Sequence, residues 1–179
     1  GKKIGFGDGF RAIYVIVKCG LFRRAPKPLS IQWFGAWSAN TKILSTGGIQ
    51  VGPWFFPDWS RVAHGQTDVR KSISWSVNTF YYYIGGGYKD FEGLGVTRIN
   101  RYLDMFGFGK QLGLDIPGEG AGFLPSPEWK KRVKNEEWYV GDTYNYSIGQ
   151  GDFLTTPLQI ATMTGAIANK GTLYRPHVV

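Results

Sequence analysis

The apolar residues between Val69 and Ile84 recur every three or four positions, and glycines at positions 85, 86 and 87 follow them directly. This spacing is typical of one face of an α-helix. Thr67 or Asp68 can cap the start of such a helix, and glycine commonly ends one. The pattern predicts a helix over residues 69–84 with one buried face, and it constrains the fold more than any other segment does.

Three further helices are predicted downstream. Apolar residues recur at helical spacing from Val96 to Phe106, and Gly107 would end that helix. Ser-Pro and Thr-Pro pairs each place a capping hydroxyl before a proline, which favours the first turn of a helix. These two pairs predict a short helix over residues 126–134 and a last helix over residues 156–171.

Strand patterns are confined to the ends of this helical region. They occur around residues 49–51 and 172–179. Residues 53–59 read Pro-Trp-Phe-Phe-Pro-Asp-Trp, and their prolines predict an irregular packed segment rather than a central strand. The chain from residue 41 onward is therefore predicted to be mainly helical.

Length and composition indicate one ordinary domain. The chain has 179 residues, of which 42% are hydrophobic and 19% charged, so a packed core is expected. Its single cysteine, Cys19, excludes an internal disulfide framework and a cysteine-based zinc site. The longest apolar run, Ala12 to Val17, is far too short to span a bilayer.

The formal charge of +8 raises the question of a nucleic-acid partner. Basic residues occur in short clusters and form no long stripe with interleaved aromatic residues. The cluster at 130–134 is followed at once by Glu136 and Glu137, which are expected to be surface charges rather than a catalytic pair. We therefore expect solvated helix faces and no nucleic acid, the alternative being binding that weakens steeply with salt.

Metal ligands and familiar nucleophile motifs are sparse. His64 and His177 are the only histidines, and Asp58 with His64 offers two ligands but no third at a sensible spacing. A hydrogen-bonded loop histidine at position 64 is the expected outcome. The sequence has no serine in a G-x-S-x-G elbow and no phosphate-binding G-x-x-x-x-G-K-[ST] loop.

The triplet Ser76-Val77-Asn78 lies inside the first predicted helix. Serine and asparagine in mid-helix compete for backbone hydrogen bonds, so a break near position 76 is expected. Such a break would direct both side chains into a shared cleft, although S-x-N alone is a common chance pattern.

Several blocks, in order, resemble class B penicillin-binding proteins, most closely the elongation transpeptidase type, penicillin-binding protein 2. The similarity extends over residues 41–179 and is carried by residues 65–82, 106–119, 124–130, 147–171 and 173–177. It implies an α+β fold, a partial serine transpeptidase/β-lactamase-like domain with mostly the helical portion present and strand at its ends.

The resemblance also implies a serine D,D-transpeptidase that cross-links peptidoglycan stem peptides and binds β-lactams. Ser76 would relay a proton towards the leaving amine and hold the catalytic lysine, and Asn78 would bind the substrate amide and the same lysine. A glycan-polymerising membrane protein is the implied partner, and the implied location is the periplasmic face of the inner membrane. No cofactor is implied.

The sequence departs from the family at its other motifs. No serine has a lysine three positions later, Ser38 and Lys42 being four apart, and no K-T-G occurs. Some relatives bind a metal through Asp, His and a Cys within the triplet, but Val77 takes that place and we predict no metal. We expect this chain to be an inactive fragment, the alternative being a degenerate homologue that scaffolds cell-wall synthesis proteins.

Residues 1–40 differ in character from residues 41–179, the partial transpeptidase domain. The family would carry Pro-Pro-Gly-Ser and the nucleophile here, whereas this sequence shows no such pattern. One hypothesis is translation out of frame, because Phe22 to Pro26 permits the codons TTC CGC CGG GCT CC, which read Pro-Pro-Gly-Ser when shifted. A divergent β-hairpin arm is the alternative, and the source DNA read in three frames would decide between them.

Overall fold

A computed structural model describes residues 40–169 and 171–178, so the predictions for residues 1–39 lie outside the described residues. The fold is mixed α+β, as predicted. The described elements, in chain order, are β1 Ile43–Ser45, β2 Gly48–Val51, β3 Trp54–Pro57, β4 Gly65–Thr67, α1 Val69–Ser74, α2 Asn78–Gly86, α3 Gly95–Met105, α4 Pro127–Lys134, α5 Val140–Ser147 and α6 Pro157–Ala168.

The strands form two short antiparallel pairs, β1 with β4 and β2 with β3. The prediction of an irregular segment over residues 53–59 is wrong for β3. Its Pro57 lies opposite Gly48 at the end of the two-stranded ladder, where a missing N–H is tolerated. β1 and β4 were not predicted from the sequence.

The helix predicted over residues 69–84 consists of two helices, and the expected break lies between Ser74 and Asn78. Asp68 caps α1, accepting a hydrogen bond from the Lys71 amide at 2.9 Å. The predicted second helix is confirmed as α3. Local pattern and tertiary structure therefore agree along this stretch.

Both hydroxyl–proline starts are confirmed. Ser126 Oγ accepts from the Trp129 amide at 3.2 Å, and Thr156 Oγ1 accepts from the Gln159 amide at 3.2 Å. The last helix ends earlier than predicted, at Ala168, because Asn169 takes the C-cap position before Gly171.

Helix α5 was not predicted, because its sequence has no apolar period. It packs closely against α2 at Gly85 and Gly86. A Cβ atom added at Gly85 would lie 1.6 Å from Ser147 Oγ, and one at Gly86 would lie 2.3 Å from the Tyr144 ring. These two glycines therefore permit close helix packing, and only Gly87, with φ 76°, ends α2.

The strand predicted over residues 172–179 is also wrong for residues 172–178, which form no strand. No described strand lies beside them to complete a ladder. Arg175 Nε instead donates to the Gly113 carbonyl, and the Val178 amide donates to Asp115 Oδ1 at 2.8 Å. This segment is thus held by a loop rather than by a sheet.

The core lies among α2, α3, α5 and α6, and side chains from the first turn of α2 are part of it. Its most buried aromatic and aliphatic side chains are Phe80, Tyr81, Ile84, Phe108, Tyr144 and Met163. Among the described helices, none has the length and hydropathy needed to cross a bilayer.

Candidate functional site

The turn between α1 and α2 presents the predicted triplet. The Ser76 amide donates to the Ile73 carbonyl at 3.4 Å, and the Val77 amide donates to the Ser72 carbonyl at 3.0 Å. This is the hydrogen-bond pattern of a Schellman motif, in which the left-handed position is usually glycine. Here Ser76 occupies it with φ 56°, at a cost of about 1 kcal/mol. The serine is therefore held in a conformation that its side chain disfavours.

Asn78 begins α2 immediately after this turn, and only 4% of its surface is exposed. Its Oδ1 is buried and has no hydrogen-bond partner among the described residues. Ser76 is half-buried. The structure thus brings the two predicted residues to one turn, with the hydroxyl near the surface and the carboxamide beneath it.

Tyr82 lies one helical turn beyond Asn78 and donates to the Pro57 carbonyl at 3.1 Å. Burial raises the pKa of Tyr82 to about 12, and the negative charge of Asp58 adds to the rise. The neighbouring Asn78 amide acts in the opposite direction. The floor of the turn is therefore a dry environment in which an unpaired polar atom is costly.

Asp58 is 1% exposed, and both of its carboxylate oxygens accept hydrogen bonds. Oδ1 accepts from the Thr79 amide at 3.0 Å, while Oδ2 accepts from Ser45 Oγ at 2.9 Å and from Thr79 Oγ1. Sequence reasoning considered this residue only as a metal ligand. Its contacts with the start of α2 cross 21 positions, and no local pattern indicates them.

His64 is a hydrogen-bonded loop histidine, as predicted, with Nε2 3.0 Å from Ser60 Oγ. The metal site of some relatives does not fit these residues, because Asp58 already accepts three hydrogen bonds from Ser45 and Thr79 and the Val77 side chain has no ligating atom. Within the described ranges, no three or more His, Cys, Asp or Glu side chains are grouped for a metal ion.

Two exposed tryptophans flank the turn, and the sequence analysis did not single out the surface that they form. Trp59 and Trp75 are 62% and 56% exposed, and Trp59 Nε1 donates to the Trp75 carbonyl at 3.0 Å. The Lys71 ammonium lies 5.1 Å from the centre of the Trp75 ring. Only the density of aromatic residues at 53–59 could have signalled this surface.

A shallow groove of about 510 Å³ lies at the other end of α2, between the β2–β3 hairpin and residues 86–95. Gln50, Lys89, Glu92 and Tyr144 are among the side chains that line it. Neither Ser76 nor Asn78 contributes to this groove, so it is separate from the predicted site.

The basic cluster on α4 is paired with acidic groups. Lys130 contacts Asp142 at 2.8 Å and Glu136 at 3.4 Å, while Lys131 pairs with Glu137. Burial disfavours the charged form of Lys130, but the two carboxylates outweigh it and raise its pKa. Glu136 and Glu137 are surface charges, as predicted.

The comparison with protein families covers the part of the chain that contains this turn. The family model for the penicillin binding protein transpeptidase domain matches residues 34–179. The peptidoglycan D,D-transpeptidase MrdA of Acinetobacter baumannii is 39% identical over 124 residues, which cover 69% of this chain and 18% of that protein.

Solved structures agree with the sequence comparison. PBP2 of Pseudomonas aeruginosa, in complex with WCK 5153, has a TM-score of 0.76 and 30% identity over 93% of this chain and 34% of its own. PBP2 of Helicobacter pylori, in complex with MreC, has a TM-score of 0.74 and 32% identity over 93% of this chain and 28% of its own.

The chain spans about a fifth of the length of the curated relatives that it matches. The family model nevertheless covers most of this chain, and the structural likeness extends over nearly all of it. The chain therefore belongs to the penicillin-binding protein transpeptidase family and is of the PBP2 type.

Proposed function

We propose that this chain is part of a peptidoglycan D,D-transpeptidase that cross-links stem peptides and binds β-lactams, with Ser76 and Asn78 on one wall of its active site. The observation that supports this most is the turn at Ser76, strained to φ 56° and followed by a buried, unpaired oxygen on Asn78. Strained residues and unsatisfied polar atoms cluster at functional sites.

The chemistry of these two groups suits acyl transfer. Asn78 Oδ1 is an acceptor without a donor, which a lysine ammonium or the amide N–H of a stem peptide would supply. The Ser76 hydroxyl can both accept and donate, so it can pass a proton towards a departing amine. In this proposal, the whole enzyme contributes the attacking serine and the oxyanion donors.

We also propose that the 179-residue chain alone forms no acyl-enzyme, because no serine in it has a lysine three positions later. Incubation with a fluorescent penicillin followed by a denaturing gel should give no labelled band. A labelled band would contradict this if it disappears when the protein is boiled beforehand or is first incubated with excess unlabelled penicillin.

The roles of Ser76 and Asn78 can be tested in a chimera. Residues 41–179 would replace the matching stretch of the Acinetobacter baumannii relative, which supplies the remaining motifs. Ser76→Ala and Asn78→Ala should each slow penicillin acylation by roughly 100-fold, the usual range for a lost proton-transfer or positioning group. The control is Ser74→Ala, an exposed serine two positions earlier, which should acylate normally. Equal rates in all three variants would refute the assignment.

For the whole protein, we propose a location at the periplasmic face of the inner membrane, with a glycan-polymerising membrane protein as partner. The Helicobacter pylori relative was solved in a complex with MreC, so a partner of that kind is a further candidate. A scaffold without catalysis is the second candidate function, favoured by the missing S-x-x-K. An intact upstream reading frame without a nucleophile would support the scaffold.

A further inference from the structure

We infer that Asp58 is the positioning residue of the Ser76–Asn78 turn, acting as a helix cap supplied from 21 positions away. The inference rests on the proposed function, because it explains how the two proposed site residues are held. The Asp58 carboxylate is almost wholly buried, so its charge must be balanced by donors. Among the described residues, its donors come from Ser45 and Thr79.

The need for such a cap follows from the sequence of the turn. Val77 occupies the N-cap position of α2, and its side chain makes no capping hydrogen bond. The first amides of a helix require acceptors, and negative charge near them is favourable. Asp58 Oδ1 accepts from the Thr79 amide at 3.0 Å and so supplies what Val77 lacks.

The same carboxylate also fixes where the turn lies relative to the strands. Its Oδ2 accepts from Ser45 Oγ of β1 at 2.9 Å, and the Asp58 amide donates to the Gly47 carbonyl at 2.9 Å. Thr79 directly follows Asn78. One side chain therefore ties β1, the end of β3 and the first turn of α2 together beside the two proposed site residues.

Amide hydrogen exchange in the full 179-residue chain tests this inference. Asp58→Ala should speed exchange of amide 79 at least tenfold, and Asp58→Asn should do so less, because its Oδ1 can still accept. Asp58→Ala should also shift the NMR signals of the Asn78 carboxamide. The matched control is Asp142→Ala, which removes a carboxylate that accepts from the Tyr139 amide at 2.7 Å at the start of α5. It should speed exchange at amide 139 and the start of α5, and in α4 because Asp142 also pairs with Lys130, but it should leave amide 79 unchanged.

A purely structural role would give a different result. If Asp58→Ala and Asp142→Ala lower the melting temperature equally and amide 79 exchanges at the same rate in both, the inference is refuted. If Asp58→Ala does not fold, Thr79→Val retains the amide but loses the hydroxyl donor, and it should still shift the Asn78 signals. Unchanged signals in that variant would also refute the inference.

Zinc provides the remaining decisive comparison. If zinc raises the melting temperature of the parent chain but not that of Asp58→Asn, then Asp58 is a metal ligand and the inference is wrong. We expect no difference between the two. These measurements use no penicillin, so a failure of the proposed function in the chimera would leave the capping result intact and distinguishable.

Discussion

Two buried carboxamides in this protein differ in their hydrogen bonding. Gln159 is 1% exposed, and its Nε2 donates to the carbonyls of Gly107, Lys110 and Ala121 at 3.2, 3.0 and 2.7 Å. Its Oε1 accepts from the Thr156 amide at 3.0 Å. Asn78 is nearly as buried, yet its Oδ1 has no partner among the described residues.

The difference separates a side chain whose hydrogen bonds hold the fold from one whose buried oxygen is left without a partner among the described residues. A saturated buried amide fixes the segments it touches, whereas an unpaired one lowers stability and can gain a partner only from a further group. Gln159 ties the loop over residues 107–121 to α6. Asn78, beside the strained Ser76, has no comparable structural task.

The largest expected effect is the loss of Gln159. Gln159→Ala leaves the carbonyls of Gly107, Lys110 and Ala121 and the Thr156 amide without their partner and creates a cavity, so the free energy of unfolding should fall by about 3 kcal/mol. Urea denaturation measures it. Gln50→Ala is the control, because that exposed glutamine bonds only locally to the Gly52 carbonyl, and it should cost less than about 0.5 kcal/mol. Equal losses would remove the basis of the comparison.

Alkaline pH tests the dry floor beneath Asn78. Burial and the Asp58 charge raise the pKa of Tyr82 from 10.0 to about 12, so the fold favours its neutral form. That stability is complete below pH 10 and is lost as the pH rises through 12, by at most about 1.4 kcal/mol per pH unit. Tyr82→Phe should flatten the fall in unfolding free energy between pH 10 and pH 12.

Tyr144 is also buried, and its pKa is likewise raised to about 12, so Tyr144→Phe should flatten the slope as well. A slope that stays the same in Tyr82→Phe would show that the floor of the turn is hydrated.

The sequence predicted those parts of the fold that depend on local chemistry. Asp68, Ser126 and Thr156 cap the helices that their positions indicated, and the break near Ser76 lies where it was expected. Helix α5 could not be predicted, because its residues have no apolar period, and its close packing against the glycines of α2 is a tertiary contact that no local pattern indicates.

The candidate site likewise has one part that the sequence predicts and one part that depends on tertiary structure. Ser76 and Asn78 are two positions apart, so any break between two helices brings them to one turn. The Asp58–Thr79 contact depends on how the β2–β3 hairpin folds back onto α2, and no pattern in the sequence specifies that. Asp58 could therefore be predicted as a functional candidate but not as a helix cap.

The strain at Ser76 predicts a smaller change in the free energy of unfolding, and this change is an increase. Because Ser76 has φ 56°, Ser76→Gly should raise the free energy of unfolding by about 0.5–1 kcal/mol. Ser74→Gly, two positions earlier in regular helix, should lower it by a similar amount. Thermal melts of the two variants suffice, and a stabilising Ser74→Gly or a destabilising Ser76→Gly would contradict the strain argument.

The smallest expected effect is at Asn78 itself. Replacing the Asn78 carboxamide with an apolar side chain of similar size removes a desolvated, unpaired oxygen together with the amide's hydrogen bond to Tyr82, so Asn78→Leu should change the free energy of unfolding by less than about 1 kcal/mol in either direction. Gln159→Leu, the same replacement at the saturated carboxamide, should cost about 3 kcal/mol. A comparable loss at Asn78 would contradict the difference drawn between the two carboxamides. If stability is retained while acylation of the chimera falls, then the cost of the unpaired oxygen has its explanation in catalysis.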